Sequence, residues 1–382
     1  MKKIAGILFS LVALLAACTA QDPAPETGYP VPQEVSSPVS EDKSDPMLES
    51  TSHTEETASP AVSDEMREEV VSPIVLTFAG DSMMAGRVAD IVKQKGPHYP
   101  FTDAAPIFQE SDLSMLNLET AISKGGEAKQ KEYTFRSDPM MAEALRQAGI
   151  DIVTVANNHA LDYGTEAFLD TLDHLKKAGV HYVGGGKNQD EAYAPVQVEV
   201  KGKKISVFGF SRVLAEANWH AGLNHPGMSS AYDPELVYRA VQPYIDQSDY
   251  TVVYLHWGQE LAEQPLPYQV QLAHGLIDLG VDLVIGSHPH VLQGLEWYKD
   301  KLIAYSLGNF VFTTSRVNEG RQSGILQIAL AGDKITPRFI PMYIDQGAVW
   351  LADEEISRQI MDRLSRLSSG GTWGEDQTFE RN

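Results

Sequence analysis

Five short apolar runs in this chain each stop at a residue that can bind a metal or move a proton. Ile74 to Gly80 ends in Asp81, and Ser114 to Leu118 ends in Glu119. Ile152 to Ala156 runs into Asn157-Asn158-His159, and Thr251 to Leu255 ends in His256. Leu283 to Gly286 leads into Ser287-His288-Pro289-His290. Continuous apolar runs of this length read as buried strands. In open α/β sheets, sites form at the carboxyl ends of strands, where loops from distant parts of the chain converge. One such run carries no weight. Five of them, all delivering carboxylate, carboxamide or imidazole, predict one mixed oxygen and nitrogen metal site.

Helical stretches separate the runs. Pro139 to Ala148 is closed by Gly149, and Thr165 to Ala178 carries Leu169, Leu172 and Leu175 at helical spacing before Gly179. Asp233 caps a third helix that has Pro234 at its first position, and Tyr268 to Leu279 stops at Gly280. A strand follows each helix, which is the rhythm of an α/β sheet covered by helices. Pro195–Val200, Lys204–Phe210, Leu302–Ser306, Gly324–Leu330 and Lys334–Tyr343 read as further strands joined by turns, with mixed pairing in a second sheet. Asp353 to Leu367 reads as an amphipathic helix, and the polar tail beyond it is expected to fray.

The first 72 residues break this pattern. Lys2 and Lys3 precede a short apolar core, Ile4 to Leu15, and Leu15-Ala16-Ala17 precede Cys18. That is a secretory signal, too short to span a bilayer. Cys18 is the only cysteine among 382 residues, which excludes an intramolecular disulfide. Its position resembles a bacterial lipobox, so residues 1–18 are expected to be a lipoprotein signal with Cys18 lipidated. The chain would then be anchored to a membrane in the extracytoplasmic cell envelope. Residues 19–72 hold 13 acidic residues against Lys43 and Arg67 and are rich in Pro, Ser and Thr. Such a segment buries too little apolar surface to offset its ordering entropy and is expected to be a disordered tether. The folded domain is expected over 73–350, with 351–382 as a terminal helix and tail. The net charge of −22 makes nucleic acid a poor partner.

Histidines two apart in an extended segment point the same way, so His288 and His290 can reach one metal or two adjacent ones. His256 adds a further imidazole, and Asp81, Glu119 and Asn158 add hard oxygens. Such a shell suits Mn²⁺, Fe²⁺ or Zn²⁺, as one or two ions. His159, beside a ligand Asn, would reach over the site, where a leaving group needs a proton, with Asp162 orienting it. Lys131, Arg136 and Arg87 are candidate anion contacts. Solvation is the expected role of Lys131, and Arg136 is the stronger substrate candidate.

Gly80-Asp81, Asn117-Leu118-Glu119, Ala156 to Gly164, His256-Trp257-Gly258 and Gly286 to Val291 together resemble the capsule-synthesis CapA (PgsA) family, associated with poly-γ-glutamate. Tyr305-Ser306-Leu307-Gly308-Asn309-Phe310 fits the same pattern and puts Asn309 among the substrate-binding candidates. The family is similar to calcineurin-like metallophosphoesterases. The resemblance implies a four-layer αββα sandwich of metallo-dependent phosphatase type. It also implies metal ligands at Asp81, Glu119 (bridging), Asn158, His256, His288 and His290, and an acid at His159. Metallophosphoesterases begin with Asp-x-His, whereas this chain reads Asp81-Ser82-Met83, and a thioether is a poor ligand for these ions. Two functions follow as expectations. One is a surface-anchored metal hydrolase cleaving phosphoester or γ-glutamyl bonds of an anionic polymer such as poly-γ-glutamate. The other is a non-catalytic accessory of membrane synthase subunits that uses the site to bind carboxylates.

Overall fold

The computed structural model describes residues 72–382 apart from Thr314. Cys18, the signal segment and the acidic tether lie outside the described residues.

Two mixed sheets form the centre. The first has the order Ala348–Leu351, Lys334–Asp345, Gln322–Ala331, Ile74–Ser82, Leu113–Leu118, Ile152–Thr154, His181–Val183. From Ile74–Ser82 to His181–Val183 the strands are parallel, while Gln322–Ala331 pairs antiparallel with Ile74–Ser82. The second has the order Leu295–Tyr298, Lys301–Ala304, Leu283–Ser287, Tyr250–His256, Lys203–Ser211, Val196–Val200. Its four inner strands are parallel, and an antiparallel strand closes each edge. Mixed pairing, expected for the second sheet, therefore holds in both.

Alternation along the strands sorts side chains into layers. Val252 and Tyr254 face one way and pack with Leu76, Phe78, Met115 and Ile328 of the first sheet. Val253 and Leu255, the alternate residues, pack on Val237, Val241, Leu272 and Leu276 of the helices Pro234–Ile245 and Pro267–Leu279. The outer face of the first sheet, including Leu116, Leu118 and Val153, packs on Val88, Leu145, Phe168 and Leu172. Those come from the helices Gly86–Lys95, Met140–Gln147 and Gly164–Ala178. The result is helix, sheet, sheet, helix, the expected αββα order. Tyr254 ties the two sheets directly, donating its hydroxyl to the Ala79 carbonyl at 2.8 Å.

Helix ends follow the sequence signals. The Asp233 carboxylate accepts the Glu235 N–H, with Pro234 at the first position. Gly179 and Gly280 close their helices in left-handed backbone.

One expectation fails at the carboxyl end. Beyond the helix Glu354–Leu367 the chain does not fray but forms a hairpin, Gly371–Trp373 with Phe379–Arg381. Phe379 is buried between Trp297 and Trp373, with ring centroids 6.3 and 4.8 Å away. Two aromatics in a short polar stretch carry the packing that composition alone conceals. Among the described residues no helix is long and apolar enough to cross a membrane.

Candidate metal centre

Parallel pairing brings the polar ends of the apolar strands together. Asp81 lies opposite Asn117 in one sheet, and His256 lies opposite Ser287 in the other. Two glycines let the connecting loops close over these ends. A Cβ on Gly80 would fall 1.9 Å from the Gly308 carbonyl oxygen. A Cβ on Gly286 would fall 2.1 Å from the Tyr305 carbonyl oxygen and 2.4 Å from Trp257 Nε1. Asp81 N–H donates to Gly308 and Phe310 N–H donates to Asp81, which seats Asn309 beside the first strand.

Glu119 sits at the centre. It is fully buried, and neither carboxylate oxygen has a hydrogen-bond partner. Its Oε1 faces three imidazoles, with His256 Nε2 at 3.8 Å, His290 Nε2 at 3.9 Å and His159 Nε2 at 4.0 Å. These gaps are too long for hydrogen bonds. The space between Glu119 and the His256 and His290 rings is of the size a coordinated cation would take up. Burial pushes the Glu119 carboxyl well above its usual range, and the Asp81 charge adds to that. His288 Nδ1 is also buried without a partner. Orphaned polar atoms of this kind are costly unless something absent satisfies them. The donor set fits a divalent cation. One group of ligand atoms comes from Glu119, His256 and His288, and another from Asp81, Glu119 and His290.

A polar network holds these ligands in place. Asn117 Nδ2 donates to Asp81 Oδ1 at 2.7 Å and lies 3.2 Å from His256 Nδ1. Asn157 Nδ2 donates to Asn117 Oδ1 and to the Leu118 carbonyl. His256 Nε2 is 2.8 Å from Asn158 Oδ1, and the His288 N–H donates to Asp81 Oδ2. His290 Nδ1 sits 2.9 Å from Asn309 Oδ1 and 3.3 Å from Asp81 Oδ2. Asn117 and Asn157 belong to the sequence motifs but not to the ligands predicted from them; their part is to hold those ligands, and Asn117 stands out as the polar residue inside an apolar run.

Burial lowers the basicity of His256 and His288, and for each the charge of the neighbouring histidine adds to it; His288 falls to about 3. His290 goes the other way. Burial opposes its charge, but Glu119 and Asp81 outweigh that and raise it to about 10. Asp81 falls well below the usual carboxylate range, because hydrogen bonding and charge from His290 overcome its burial.

His288 and His290 do not lie in an extended segment, as the sequence suggested. Both have left-handed backbone, with φ of 94° and 58°. Such strain in non-glycine residues collects at functional sites. The turn separates the two rings, whose centroids lie 5.7 Å apart.

His159 Nδ1 contacts Asp162 Oδ2 at 2.7 Å. Asp162 also accepts from the Phe135 N–H and from Lys131 Nζ, each at 2.7 Å. Lys131 reaches the Asn158 carbonyl as well, and the Phe135 ring lies on His159 with centroids 4.5 Å apart. Lys131 is therefore part of the site's frame and not the solvated surface residue expected. Burial lowers the basicity of His159, against the opposing pull of Asp162.

Arg136 is held elsewhere. Its guanidinium donates to the carbonyls of Gly125 and Gly126 and lies 4.1 Å over the Tyr163 ring. Arg87 is exposed on the helix Gly86–Lys95. Neither lines the cavity of about 410 Å³ that opens over the site between Met83, Tyr133, Phe135, His159, Glu260, His290 and Asn309.

Residues 75–314 match the family model described as bacterial capsule synthesis protein PGA_cap. Capsule biosynthesis protein CapA of Bacillus anthracis is 33% identical over 262 residues, covering 64% of this chain and 63% of that protein. PGA biosynthesis protein CapA of Bacillus subtilis (strain 168) is 36% identical over 239 residues, covering 62% of each. The match thus spans just under two thirds of these relatives' length. Among solved structures, 5'-nucleotidase from Candida albicans SC5314 aligns with a TM-score of 0.40 at 12% identity, over 77% of this chain and 58% of that one. The layer order follows from the two sheets and the three apolar cores of the chain itself.

Proposed function

The chain belongs to the bacterial capsule synthesis (PGA_cap) family, and from that premise we propose that it is an envelope-anchored, metal-dependent hydrolase acting on an anionic capsule polymer such as poly-γ-glutamate. The observation that carries this reading is Glu119. A fully buried carboxylate with both oxygens unpartnered, facing the His256 and His290 imidazoles at 3.8 and 3.9 Å, is a poor structural element and a good metal ligand. Asp81, Glu119, Asn158, His256, His288 and His290 would hold the cation, and their donor types suit Mn²⁺, Fe²⁺ or Zn²⁺. When bound, a divalent ion supplies Lewis acidity and a counter-charge for substrate oxygens.

The protein's own groups do the rest. Asp162 accepts hydrogen bonds from Phe135 and Lys131, so it takes the Nδ1–H of His159 and leaves Nε2 facing the cavity. With its basicity lowered, His159 rests neutral at pH 7 and its Nε2 is an open proton acceptor. It can take a proton from attacking water and return it to a leaving oxygen or nitrogen. The polyanion must approach a chain of net charge −22, so the cation also offsets a repulsive field.

The test is metal content per purified chain after exposure to Mn²⁺, Fe²⁺ or Zn²⁺, then hydrolysis of a model phosphodiester and of poly-γ-glutamate. Metal with turnover supports the reading, and an absence of metal overturns it. Metal without turnover favours an accessory role beside membrane synthase subunits. Met83 speaks for that second reading, because its buried sulfur accepts the Ala85 N–H at 3.3 Å and leaves the site one imidazole short of the metallophosphoesterase pattern.

A further inference from the structure

A third group of ligand atoms lies at the mouth of the site. One atom each from Glu260, His288 and His290 lies within 4.8 Å of the others. Glu260 follows the strand Tyr250–His256 by four residues and belongs to none of the sets discussed so far.

Its position is built and not incidental. Leu261, the next residue, adopts a left-handed φ of 61° and donates its N–H to the Pro289 carbonyl at 2.8 Å. That bond pins the loop to the turn that carries both histidines. Tyr268 accepts the Gly258 N–H at 2.7 Å, and Gln293 donates to the Ala262 carbonyl at 2.8 Å, which fixes the loop on either side. A left-handed leucine that is itself exposed has no packing reason to hold that shape. Its effect is to present Glu260 beside His288 and His290. The Glu260 carboxylate makes no hydrogen bond and no ion pair with Lys or Arg among the described residues. His288, within the same group of ligand atoms, is 5% exposed and its Nδ1 has no partner. Met83 lines the same cavity and offers only a thioether that is already engaged.

We propose that Glu260 is a metal ligand, completing with His288 and His290 an outer cation position at the mouth of the site. This inference rests on the metal-site reading above. The position would hold an ion that accepts mixed carboxylate and imidazole ligands, with Mn²⁺ the probe. It also accounts for an acidic side chain at the entrance to a site for an anionic polymer. Unpaired, Glu260 repels such a substrate; with a cation, the same place attracts it.

The experiment compares Mn²⁺ binding to the purified full chain, to Glu260→Gln and to Glu132→Gln. Glu132 is an exposed acid next to Tyr133 on the rim and serves as the control for general charge. Calorimetric titration gives the affinity, and elemental analysis gives ions per chain. Glu260→Gln should weaken the weaker-bound ion at least tenfold or remove it, with an unchanged melting temperature in chelator. Glu132→Gln should bind like the parent. Equal stoichiometry and affinity in Glu260→Gln, or an equal loss in Glu132→Gln, overturns the proposal and leaves the inner site standing. A parent chain that binds no Mn²⁺ overturns both together.

Discussion

His159 turns its Nδ1 onto Asp162 at 2.7 Å and its Nε2 toward Glu119 at 4.0 Å. One nitrogen is fixed by a carboxylate and the other is free for chemistry. His159→Ala is therefore expected to retain metal and to lose between about 100-fold and 10,000-fold in hydrolysis rate, the usual range for a positioned acid or base. Asp162→Asn should shift the pH–rate profile as well as lower the rate, because it changes the tautomer partner. Metal content by elemental analysis separates this from loss of the site.

The metal-free protein is expected to lose stability as pH rises from about 6.5 to about 10. His290 is raised to about 10 by Glu119 and Asp81, against its burial. A group with a raised folded pKa stabilises fully below its unfolded value and ceases to do so as pH passes its folded one. Bound metal replaces that proton, so the slope should flatten on loading, and loading should release protons at pH 8. Melting curves in chelator and in Mn²⁺ across this window give the check.

Gly286→Ala should destabilise the fold and abolish metal binding together. The added methyl would meet the Tyr305 carbonyl and the Trp257 ring nitrogen, both fixed. Overpacking of this kind costs at least about 1–3 kcal/mol. Denaturant midpoints measured beside metal content would show the link.

Phe379→Ala should cost about 3–5 kcal/mol, the range for emptying a buried aromatic site. Its ring is buried against Trp297 and Trp373. An unchanged denaturation midpoint would mean that the hairpin adds nothing to the domain.

Cys18→Ala should release the full chain from membranes or leave its precursor uncut, because Cys18 is the only thiol and follows Leu15-Ala16-Ala17. Fractionation and the N-terminal mass of the product decide it.

The strand ends were readable because buried parallel strands are written as apolar runs, and the polar residue that stops each run is visible against them. Asp81, Glu119, His256 and His288 all come into view that way. Lys131 and Glu260 do not, because each sits in a polar loop whose path is set by long-range bonds, Lys131 to Asp162 and Leu261 to Pro289. Arg136 looked like an anion contact, but its side chain closes a local turn at Gly125 and Gly126. The terminal hairpin leaves no periodic signal in the sequence, because its strands are three residues long and pair across a polar turn.

The bond from His288 to Asp81 joins residues 207 apart, from different sheets. During synthesis the first half of the site therefore emerges long before the second. Until His288 and His290 leave the ribosome, Asp81 and Glu119 have no imidazole from the His-Pro-His turn to share an ion with. A chain cut between His256 and that turn keeps both carboxylates and loses two of the three candidate ligand histidines, so an ion that needs the whole set would distinguish a finished molecule from such a fragment.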